Sequence, residues 1–357
     1  MPIPNRYVYM DDRFAHGGMS RASVFNDTHL DRNVVIKALL PGRDHRRLLD
    51  EIRALQSIRS RHVVQIYDIY NDENGVIQGL VEELVSGPQF AEGEVPKDAA
   101  SFMKLIYPLA KGIYDIHSSG IIHRDIKPSN IKFDGEGCLK IFDFGLARDE
   151  EADAYTKGAV GTLGYMAPEL FYDHAGGNVY FSTAVDTYAF GVTAYYTYSR
   201  SVPKPMRQLP PVLPCEEADF SKSHLNLPED ISNILNRCLS ERPSDRPEMR
   251  DVCTILEKYI LHGQHRALIT YGSTNYYLSA ASKSVRLAVQ DKGQVNITYN
   301  DLEFVIGNVS GDVVVNNIPA KNGDILPGSC VVALGDPTKP SARVFITIDV
   351  SHPEVTL

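Results

Sequence analysis

The chain has 357 residues, which is longer than one ordinary domain and predicts either two domains or one large bilobal domain. Its composition, 43% hydrophobic and 23% charged, is that of a globular protein with a sizeable core. The 45 acidic residues against 36 basic residues give a net charge of -9, which argues against nucleic acid as the main partner.

The cysteines are odd in number and widely separated: Cys138, Cys215, Cys238, Cys253 and Cys330. They include no C-x-x-C pair, so neither a zinc site nor a disulfide framework is indicated, and a reducing compartment is the simplest interpretation. The N-terminal stretch MPIPNRYVYMDD lacks the apolar segment of a signal peptide, and Asp186 interrupts the longest apolar stretch. We expect a cytoplasmic protein without a membrane span.

Residues 1–85 are predicted to be rich in β-strands, with one helix. Strand composition is found in VYMDDRF, ASVFND, NVVIKALL, VVQIYDIY and VIQGLVEELV. Between the third and fourth of these runs, the stretch DHRRLLDEIRALQSI carries apolar residues at helical spacing, namely Leu48, Leu49, Ile52, Leu55 and Ile58. That spacing predicts an amphipathic helix.

Helical patterns dominate from about residue 97 to 262. The first is AASFMKLIYPLAKGIYDIHSSG, in which Gly120 is suited to a helix C-terminus. The stretch SVPKPMRQLPPVLP, residues 201–214, contains too many prolines for a regular helix and predicts a surface loop.

The sequence pattern changes after about residue 267. Short β-rich runs follow one another, separated by Gly, Asn, Asp and Pro: SVRLAVQ, QVNITYN, LEFVIG, DVVVNN, CVVALG and ARVFITIDV. This pattern is typical of a separate small sandwich or barrel, here over residues 268–357.

The stretch HRDIKPSN, residues 123–130, places polar and ionisable groups between two apolar runs. Such a pattern is typical of a polar loop between short buried strands, which aims functional groups from a rigid base. The stretch DFG follows at 143–145. Asp125, Asn130 and Asp143 offer oxygen atoms suited to Mg²⁺ or to a substrate hydroxyl.

Three further features are weaker when taken singly. FAHGGMS, residues 14–20, is a glycine-containing turn that suits phosphate binding by backbone N–H groups, although a plain hairpin turn has the same pattern. Lys37 ends the apolar run VVIK and needs an anionic partner if it is buried, whereas an edge lysine would reach water. Glu51 on the following helix can supply a carboxylate, with Asp50 beside it as the alternative register.

Taken together and in this order, the motifs resemble those of the protein kinase superfamily: VVIK, the helix glutamate, HRDIKPSN, DFGLAR, GTLGYMAPE, VDTYAFG and CLSERPSDRP. The resemblance covers about residues 6–260 and is greatest to the eukaryotic-like Ser/Thr kinases of bacteria. It implies an α+β, bilobal kinase fold over residues 1–262, with a β-rich N-lobe at 1–85 and a helical C-lobe at 86–262. The small all-β domain would follow.

The resemblance implies catalytic roles for individual residues. Lys37 would bind the α- and β-phosphates of ATP and pair with Glu51. Asp125 would accept the proton of the attacking hydroxyl, and Lys127 would contact the γ-phosphate. These roles suit phosphoryl transfer, which mainly needs positioning and charge neutralisation.

The resemblance also implies binding and structural residues. Asn130 and Asp143 would hold Mg²⁺, with Mn²⁺ as an alternative. The nucleotide-binding residues would be Ala15, His16, Gly17, Gly18, Ala22, Val35, Lys37, Glu83, Val85 and Lys132. Glu169 and Arg246 would form a structural salt bridge, and Asp186 would hold the catalytic loop from beneath.

The sequence departs from the family pattern around the nucleotide. Ala15 and Ser20 stand where the glycine-rich loop has glycines, and Ala22 stands where a valine usually covers the adenine. Glu82 occupies the gatekeeper position, which is normally apolar or Thr, so its carboxylate would either face a polar group or be displaced by a register shift. Lys132 replaces an apolar residue of the adenine floor. These changes bear on nucleotide affinity more than on catalysis.

The run GDVVVNNIPAKNGDILPGSCVVALGD resembles the later half of a forkhead-associated sandwich. The earlier Gly-Arg and Ser-x-x-His signals that read phosphothreonine in that family are missing. An FHA-like sandwich and an unrelated β-module therefore both remain open, and Pro319, Asn322 and Gly323 are best explained as turn residues.

The leading hypothesis is a Ser/Thr protein kinase that uses ATP and Mg²⁺, acts on protein substrates and autophosphorylates. The alternatives are a nucleotide-binding pseudokinase acting through its β-domain, and a small-molecule kinase. In the activation segment Thr156 is the expected phosphosite, with Arg124 as its partner, and the Thr162 hydroxyl is expected to contact Asp125 and Lys127. The oligomeric state is left open.

Overall fold

The computed structural model describes residues 3–11, 20–39, 46–146, 148–149, 155–157, 162–172 and 178–353. The chain divides into two compact units, Met1–Cys253 and Thr254–Leu357, with the division inside the last helix. Within the described ranges, no helix is both long enough and apolar enough to cross a membrane.

The first unit begins with a five-stranded antiparallel sheet and one helix. The strands are β1 (Tyr7–Asp11), β2 (Ser20–Asp27), β3 (Arg32–Leu39), β4 (Ile66–Asn71) and β5 (Ile77–Glu83), in the order β1-β2-β3-β5-β4. Helix α1 (Arg46–Ser57) lies between β3 and β4 in the chain. Its apolar stripe packs on the sheet, because Leu48 and Ile52 form one buried cluster with Leu80 of β5. This arrangement confirms the strand-rich prediction and the amphipathic helix.

The rest of the first unit is mainly helical. Its elements are α2 (Ala99–Ser118), β6 (Ile121–Ile122), β7 (Ile131–Phe133), β8 (Leu139–Ile141), β9 (Arg148–Asp149), β10 (Tyr155–Lys157), β11 (Asn178–Tyr180), α3 (Ala184–Ser199), α4 (Glu229–Cys238) and α5 (Met249–Ile260). The short strands pair as β6-β9, β7-β8 and β10-β11. Helix α3 is buried around most of its circumference, as expected for the apolar run VDTYAFGVT.

Local signals set the ends of these elements. The carboxylate of Asp98 accepts a hydrogen bond from the backbone N–H of Ser101 and caps α2. Beyond the C-cap Ser119, Gly120 has φ +72°, a left-handed conformation that glycine adopts without a steric penalty. Residues 201–214 form a loop with one 3-10 turn, Pro205–Arg207, as the prolines predicted.

The second unit is all-β after the end of α5. Its strands are β12 (Ala267–Tyr271), β13 (Thr274–Leu278), β14 (Ser284–Val289), β15 (Gly293–Tyr299), β16 (Phe304–Gly311), β17 (Val313–Val315), β18 (Ile318–Pro319), β19 (Cys330–Leu334) and β20 (Val344–Val350). They form a six-stranded sheet, β13-β12-β20-β19-β17-β18, and a three-stranded sheet, β14-β15-β16. Buried side chains from both sheets, such as Ile269 and Ile297, share one core, so the unit is a small sandwich.

Candidate active site

A buried carboxylate holds the polar loop between β6 and β7. Asp186, in the first turn of α3, accepts hydrogen bonds from the backbone N–H groups of His123 and Arg124, both at 2.8 Å. The Nε2 atom of His117 lies 3.0 Å from the same carboxylate. Burial alone would raise the pKa of Asp186, but the contacts with His117 and His123 outweigh burial, and the pKa is lowered. Asp186 therefore stays ionised and fixes the loop, including Arg124 at φ +68°.

The Asp125 carboxylate contacts three side chains: Lys127 and Asn130 from its own loop, and Thr162 from a later segment. Lys127 Nζ lies 2.7 Å from Asp125 Oδ2, and the Thr162 hydroxyl donates to Asp125 Oδ1 at 2.9 Å. Lys127 Nζ also donates to Thr162 Oγ1 at 2.6 Å. Asn130 Nδ2 donates to the backbone and side-chain oxygens of Asp125 at 2.9 and 3.0 Å. A carboxylate that accepts from a threonine hydroxyl is placed to accept from a substrate hydroxyl as well.

Asn130 and Asp143 lie at the same end of a hairpin. Asn130 directly precedes β7 and Asp143 follows β8, and the antiparallel pairing of Ile131 with Ile141 brings the two ends together. The backbone N–H of Phe142 donates to the carbonyl of Asn130 at 3.1 Å, which closes this end. Asp143 is exposed and has φ +67°, a strained conformation for a residue other than glycine.

Asn130 and Asp143 form a donor set that suits a magnesium ion. The amide nitrogen of Asn130 is engaged by Asp125, which leaves the amide oxygen as the atom for a cation. An amide oxygen and a carboxylate are hard oxygen ligands, and Mg²⁺ completes such partial sets with water and phosphate oxygens. Across the described residues, no group of three or more His, Cys, Asp or Glu side chains is placed to hold a metal.

Lys37 of β3 is held between two carboxylates. Its Nζ lies 2.7 Å from Glu51 Oε1 of α1 and 3.1 Å from Glu82 Oε1 of β5. Burial alone would lower the pKa of Lys37, but Glu51, Glu82 and Asp143 outweigh burial, and the pKa is raised above its usual value. Glu51 is thus the partner in the register predicted from the helix pattern, and Lys37 does not reach open water.

These groups line one cavity of about 290 Å³. The lining residues are Ala22, Val35, Lys37, Glu51, Val64, Glu82, Glu83, Val85, Gln89, Ser129, Lys132, Phe142 and Asp143. The lining contains both apolar and charged side chains, as is common for small-molecule sites. Burial lowers the pKa of Lys132, which agrees with a stem lying along the cavity wall.

The structure brings most of the predicted site residues together, and the others lie outside the residues or side chains that it describes. Ala22, Val35, Lys37, Glu51, Glu83, Val85, Lys132 and Asp143 line the cavity, and Asp125, Lys127, Asn130 and Thr162 form the network beside Ser129. Ala15, His16, Gly17 and Gly18 lie outside the described residues. For Thr156 the backbone alone is described, in β10 opposite Val179.

Sequence reasoning missed four lining residues and one ion pair. The missed lining residues are Val64, Gln89, Ser129 and Phe142, and of these only Ser129 lies within a motif that the sequence singled out. The contact of Glu82 with Lys37 decides between two expectations, because the carboxylate faces a polar group and β3 and β5 pair without a shift of register. Strand alternation could have predicted this contact. It places residues 80 and 82 on one face of β5, and Leu80 pairs with Lys37 of β3.

Arg246 and Glu169 form the structural pair that the sequence suggested. The guanidinium donates to both carboxylate oxygens, Nη1 to Oε1 and Nη2 to Oε2, each at 2.7 Å. Arg246 also donates to the backbone carbonyls of Ser240, Ala184 and Glu241. The pair is buried and ties the segment after GTLGYM to the loop before α5.

Comparison with known proteins agrees with this geometry. A family model described as the protein kinase domain matches residues 15–256. The chain is 33% identical over 195 residues to a protein of Corynebacterium efficiens named serine/threonine-protein kinases drp72, covering 50% of this chain and 36% of the relative. It is 35% identical over 195 residues to serine/threonine-protein kinases PknA of Corynebacterium glutamicum, covering 50% and 40%. It is also 34% identical over 167 residues to calcium/calmodulin-dependent protein kinase type 1 of Caenorhabditis elegans, covering 44% and 45%. The chain thus spans less than half the length of these relatives.

Proposed function

The chain belongs to the protein kinase family, and on that premise we propose that it transfers the γ-phosphate of ATP to Ser and Thr hydroxyls of proteins. The observation that carries the proposal is the Asp125 carboxylate, which accepts from the Thr162 hydroxyl at 2.9 Å while Lys127 lies 2.7 Å away. A hydroxyl acceptor needs a base at this distance and a cation beside the developing charge.

The reaction divides among the residues as follows. Asp125 orients the substrate hydroxyl and accepts its proton, while the hydroxyl oxygen forms a bond to the γ-phosphorus. The bond from that phosphorus to the β,γ-bridging oxygen breaks, and ADP leaves with the electron pair. Lys127 neutralises charge on the transferred group, and Lys37, positioned by Glu51, holds the remaining phosphates. Magnesium, held by Asn130 and Asp143 when bound, supplies further charge neutralisation at the phosphates.

The same residues argue against two other functions. A pseudokinase would bind nucleotide without turnover, yet Lys37, Glu51, Asp125, Asn130 and Asp143 are all present. A small-molecule kinase would share the phosphate machinery, but it would not need the segment GTLGYMAPE, whose Thr162 contacts Asp125. Both features favour transfer to a protein.

Several finer assignments belong to the same proposal. Magnesium is proposed as the metal, and the cytoplasm as the location. We also propose autophosphorylation at Thr156, because the Thr162 hydroxyl is engaged by Asp125 and Lys127 and Tyr155 is not a Ser/Thr-type acceptor. For the second unit, an FHA-like sandwich and an unrelated β-module both remain open. No phosphopeptide role is assigned to it.

The test is phosphoryl transfer by the purified full chain and by Asp125→Asn. With labelled ATP and Mg²⁺ the wild type should phosphorylate itself and a generic protein substrate, with phosphate found by mass spectrometry between residues 150 and 160. Asp125→Asn should lose at least about 100-fold in rate, because it removes the proton acceptor and keeps the side-chain shape. The control variant is Glu73→Gln, which neutralises an exposed carboxylate of the same unit and should keep full activity.

Two results would contradict the proposal. Transfer by Asp125→Asn at the wild-type rate would remove Asp125 from the mechanism. A wild type that binds Mg-ATP but transfers no phosphate to any protein would favour the pseudokinase.

A further inference from the structure

Glu82 lies on the wall of the nucleotide cavity, directly beside Lys37. In the β3-β5 ladder Val35 pairs with Glu82 and Lys37 pairs with Leu80. Because alternate residues of a strand share a face, Lys37, Val35 and Glu82 are all presented to the same side of the sheet. Glu82 is 4% exposed and lines the cavity. Its carboxylate is therefore part of the site, although none of the proposed catalytic steps uses it.

Lys37 is shared between two buried carboxylates. Its Nζ lies 2.7 Å from Glu51 and 3.1 Å from Glu82, and the side chains of both acids are less than one-tenth exposed. One carboxylate is enough to position the lysine. The second one adds negative charge at the place where the same ammonium group must also hold phosphate oxygens.

The charge around Lys37 is unfavourable for an anionic ligand. Three ionisable groups act on Glu82: Lys37 from β3, Glu51 from α1 and Asp143 from the segment after β8. Lys132 of β7 and Glu83 of β5 line the same cavity, and β4 contributes the apolar Ile66 opposite Glu82. Three carboxylates thus surround one nearby ammonium group. Like charges at short range repel most strongly where burial keeps water away, as it does at the side chains of Glu51 and Glu82.

One oxygen of Glu82 has no hydrogen-bond partner. Among the described residues, Oε2 of Glu82 is buried without a donor, whereas Oε1 contacts Lys37. A buried carboxylate with an unsatisfied oxygen is costly in its charged form. Burial raises the pKa of Glu82 to about 7, against the opposing effect of Lys37 and with the added repulsion of Glu51. The carboxyl can therefore lose its charge at small cost.

We propose that Glu82 competes with nucleotide phosphates for Lys37, so that nucleotide affinity rises when the charge of Glu82 is removed by substitution or by protonation. The inference rests on the proposed function, since it assigns Lys37 to phosphate binding. It makes Glu82 a determinant of affinity for the phosphate chain and not for the base. Nucleotide affinity should rise because a neutral Glu82 leaves Glu51 as the charged partner of Lys37. The ammonium group can then form a second strong contact with a phosphate oxygen.

The test is the affinity of the full-length protein for Mg-ADP, measured by titration calorimetry without turnover. Glu82→Gln keeps the size of the side chain and removes its charge, and Glu82→Leu removes the charge and the hydrogen bond. At about pH 8 both variants should bind Mg-ADP roughly fivefold more tightly than the wild type. Glu73→Gln, an exposed carboxylate in the same sheet region, should bind like the wild type.

Two comparisons separate charge at Lys37 from other effects. Adenosine, which has no phosphates, should bind wild type and Glu82→Gln equally. At about pH 6, on the acid side of the raised pKa of Glu82, more of the wild-type carboxyl is protonated, so the advantage of Glu82→Gln for Mg-ADP should be smaller than at about pH 8. Because each comparison uses the same ligand at the same pH, ionisation of the phosphates cancels.

The outcomes are distinct. Equal or weaker Mg-ADP binding by Glu82→Gln, a change in adenosine affinity, or a ratio that is the same at both pH values would each overturn the inference. Failure of the wild type to bind any nucleotide would instead refute the proposed function. Thermal unfolding of each variant, followed by circular dichroism, shows whether a loss of binding reflects a loss of fold.

Discussion

Asp186 shows how one side chain fixes the geometry of the catalytic loop. Its carboxylate accepts two backbone N–H groups and faces His117, with the residue 1% exposed. Asp186→Asn should therefore lower the free energy of unfolding by about 2–4 kcal/mol, because the amide replaces one acceptor oxygen by a donor. The measurement is urea unfolding at neutral pH. Asp251→Asn, an exposed carboxylate of the same unit, should change stability by less than about 1 kcal/mol.

The lowered pKa of Asp186 also gives this prediction a pH dependence. A carboxyl whose pKa is lower in the folded state contributes stability above its unfolded pKa, 3.8, and loses it as the pH falls through the folded value. The difference between wild type and Asp186→Asn should thus be constant near neutrality and shrink below about pH 4. A difference that grows on acidification would mean that Asp186 is not held as a carboxylate.

The sequence predicted the residue types at the site, but it did not predict all of their partners. Sequence predicted Lys37, Asp125 and Asp143 because each lies in a short motif of neighbouring residues. The partner of Glu82 depends on the register of β3 with β5, which brings together residues 45 positions apart in the chain. The positive φ angle of Arg124 is likewise set by a tertiary contact, because the distant Asp186 carboxylate accepts from the Arg124 backbone N–H.

At the scale of elements, the pair of Glu169 and Arg246 joins two segments that have little regular structure of their own. The two side chains form a bidentate contact at 2.7 Å, and the Arg246 side chain is fully buried. Removing one partner leaves a buried, unpaired charge, so Glu169→Gln should cost about 3–5 kcal/mol in urea unfolding. Arg246→Lys should rescue little, because an ammonium group cannot reproduce the planar, two-point contact.

The matched control for this pair is Arg53→Ala. Arg53 is 75% exposed and lies 3.8 Å from Asp50, a separation at which an ion pair contributes at most about 1 kcal/mol. If Glu169→Gln were no more destabilising than Arg53→Ala, the buried pair would not be what anchors the segment. In that case packing of Pro168 and Leu170, both buried, would be the main contribution.

Helices and strands with a clear periodicity of apolar residues were predicted well, and those without such a periodicity were missed. Helices α1 and α2 lie within two residues of their predicted ends, because each carries an apolar stripe and α2 has a capping Asp98. The hairpin of β12 and β13 was not predicted as a pair of strands. Most of β13 is exposed, so its sequence TNYYL lacks the alternation of a half-buried strand. Pairing with β12 holds it in the sheet.

At the scale of the whole molecule, the second unit has what an independent domain needs. Its two sheets enclose a single core that includes Ile269, Ile297, Tyr299 and Ile346, each 1% exposed or less. That core is formed by the unit's own strands, and six short runs in its sequence predicted most of them. A chain segment with its own core is expected to fold without its neighbour.

The last prediction is that the chain can be cut after residue 262 to give two folded proteins. The cut leaves α5 whole in the fragment 1–262, although residues 254–262 belong to the second unit. It removes two side-chain contacts within that unit, Lys258–Glu303 at 3.1 Å and Glu257–His352 at 3.4 Å. All four side chains are roughly a third exposed, so each pair should contribute no more than about 1 kcal/mol. Fragment 263–357 should therefore keep its β-type circular dichroism and unfold in one cooperative transition, and 1–262 should keep phosphoryl transfer within about twofold of the full chain. A fragment 1–262 that is soluble only when 263–357 is co-expressed would contradict independent folding of the two fragments, and it would mean that the end of α5, which belongs to the second unit, needs the β-strands of that unit.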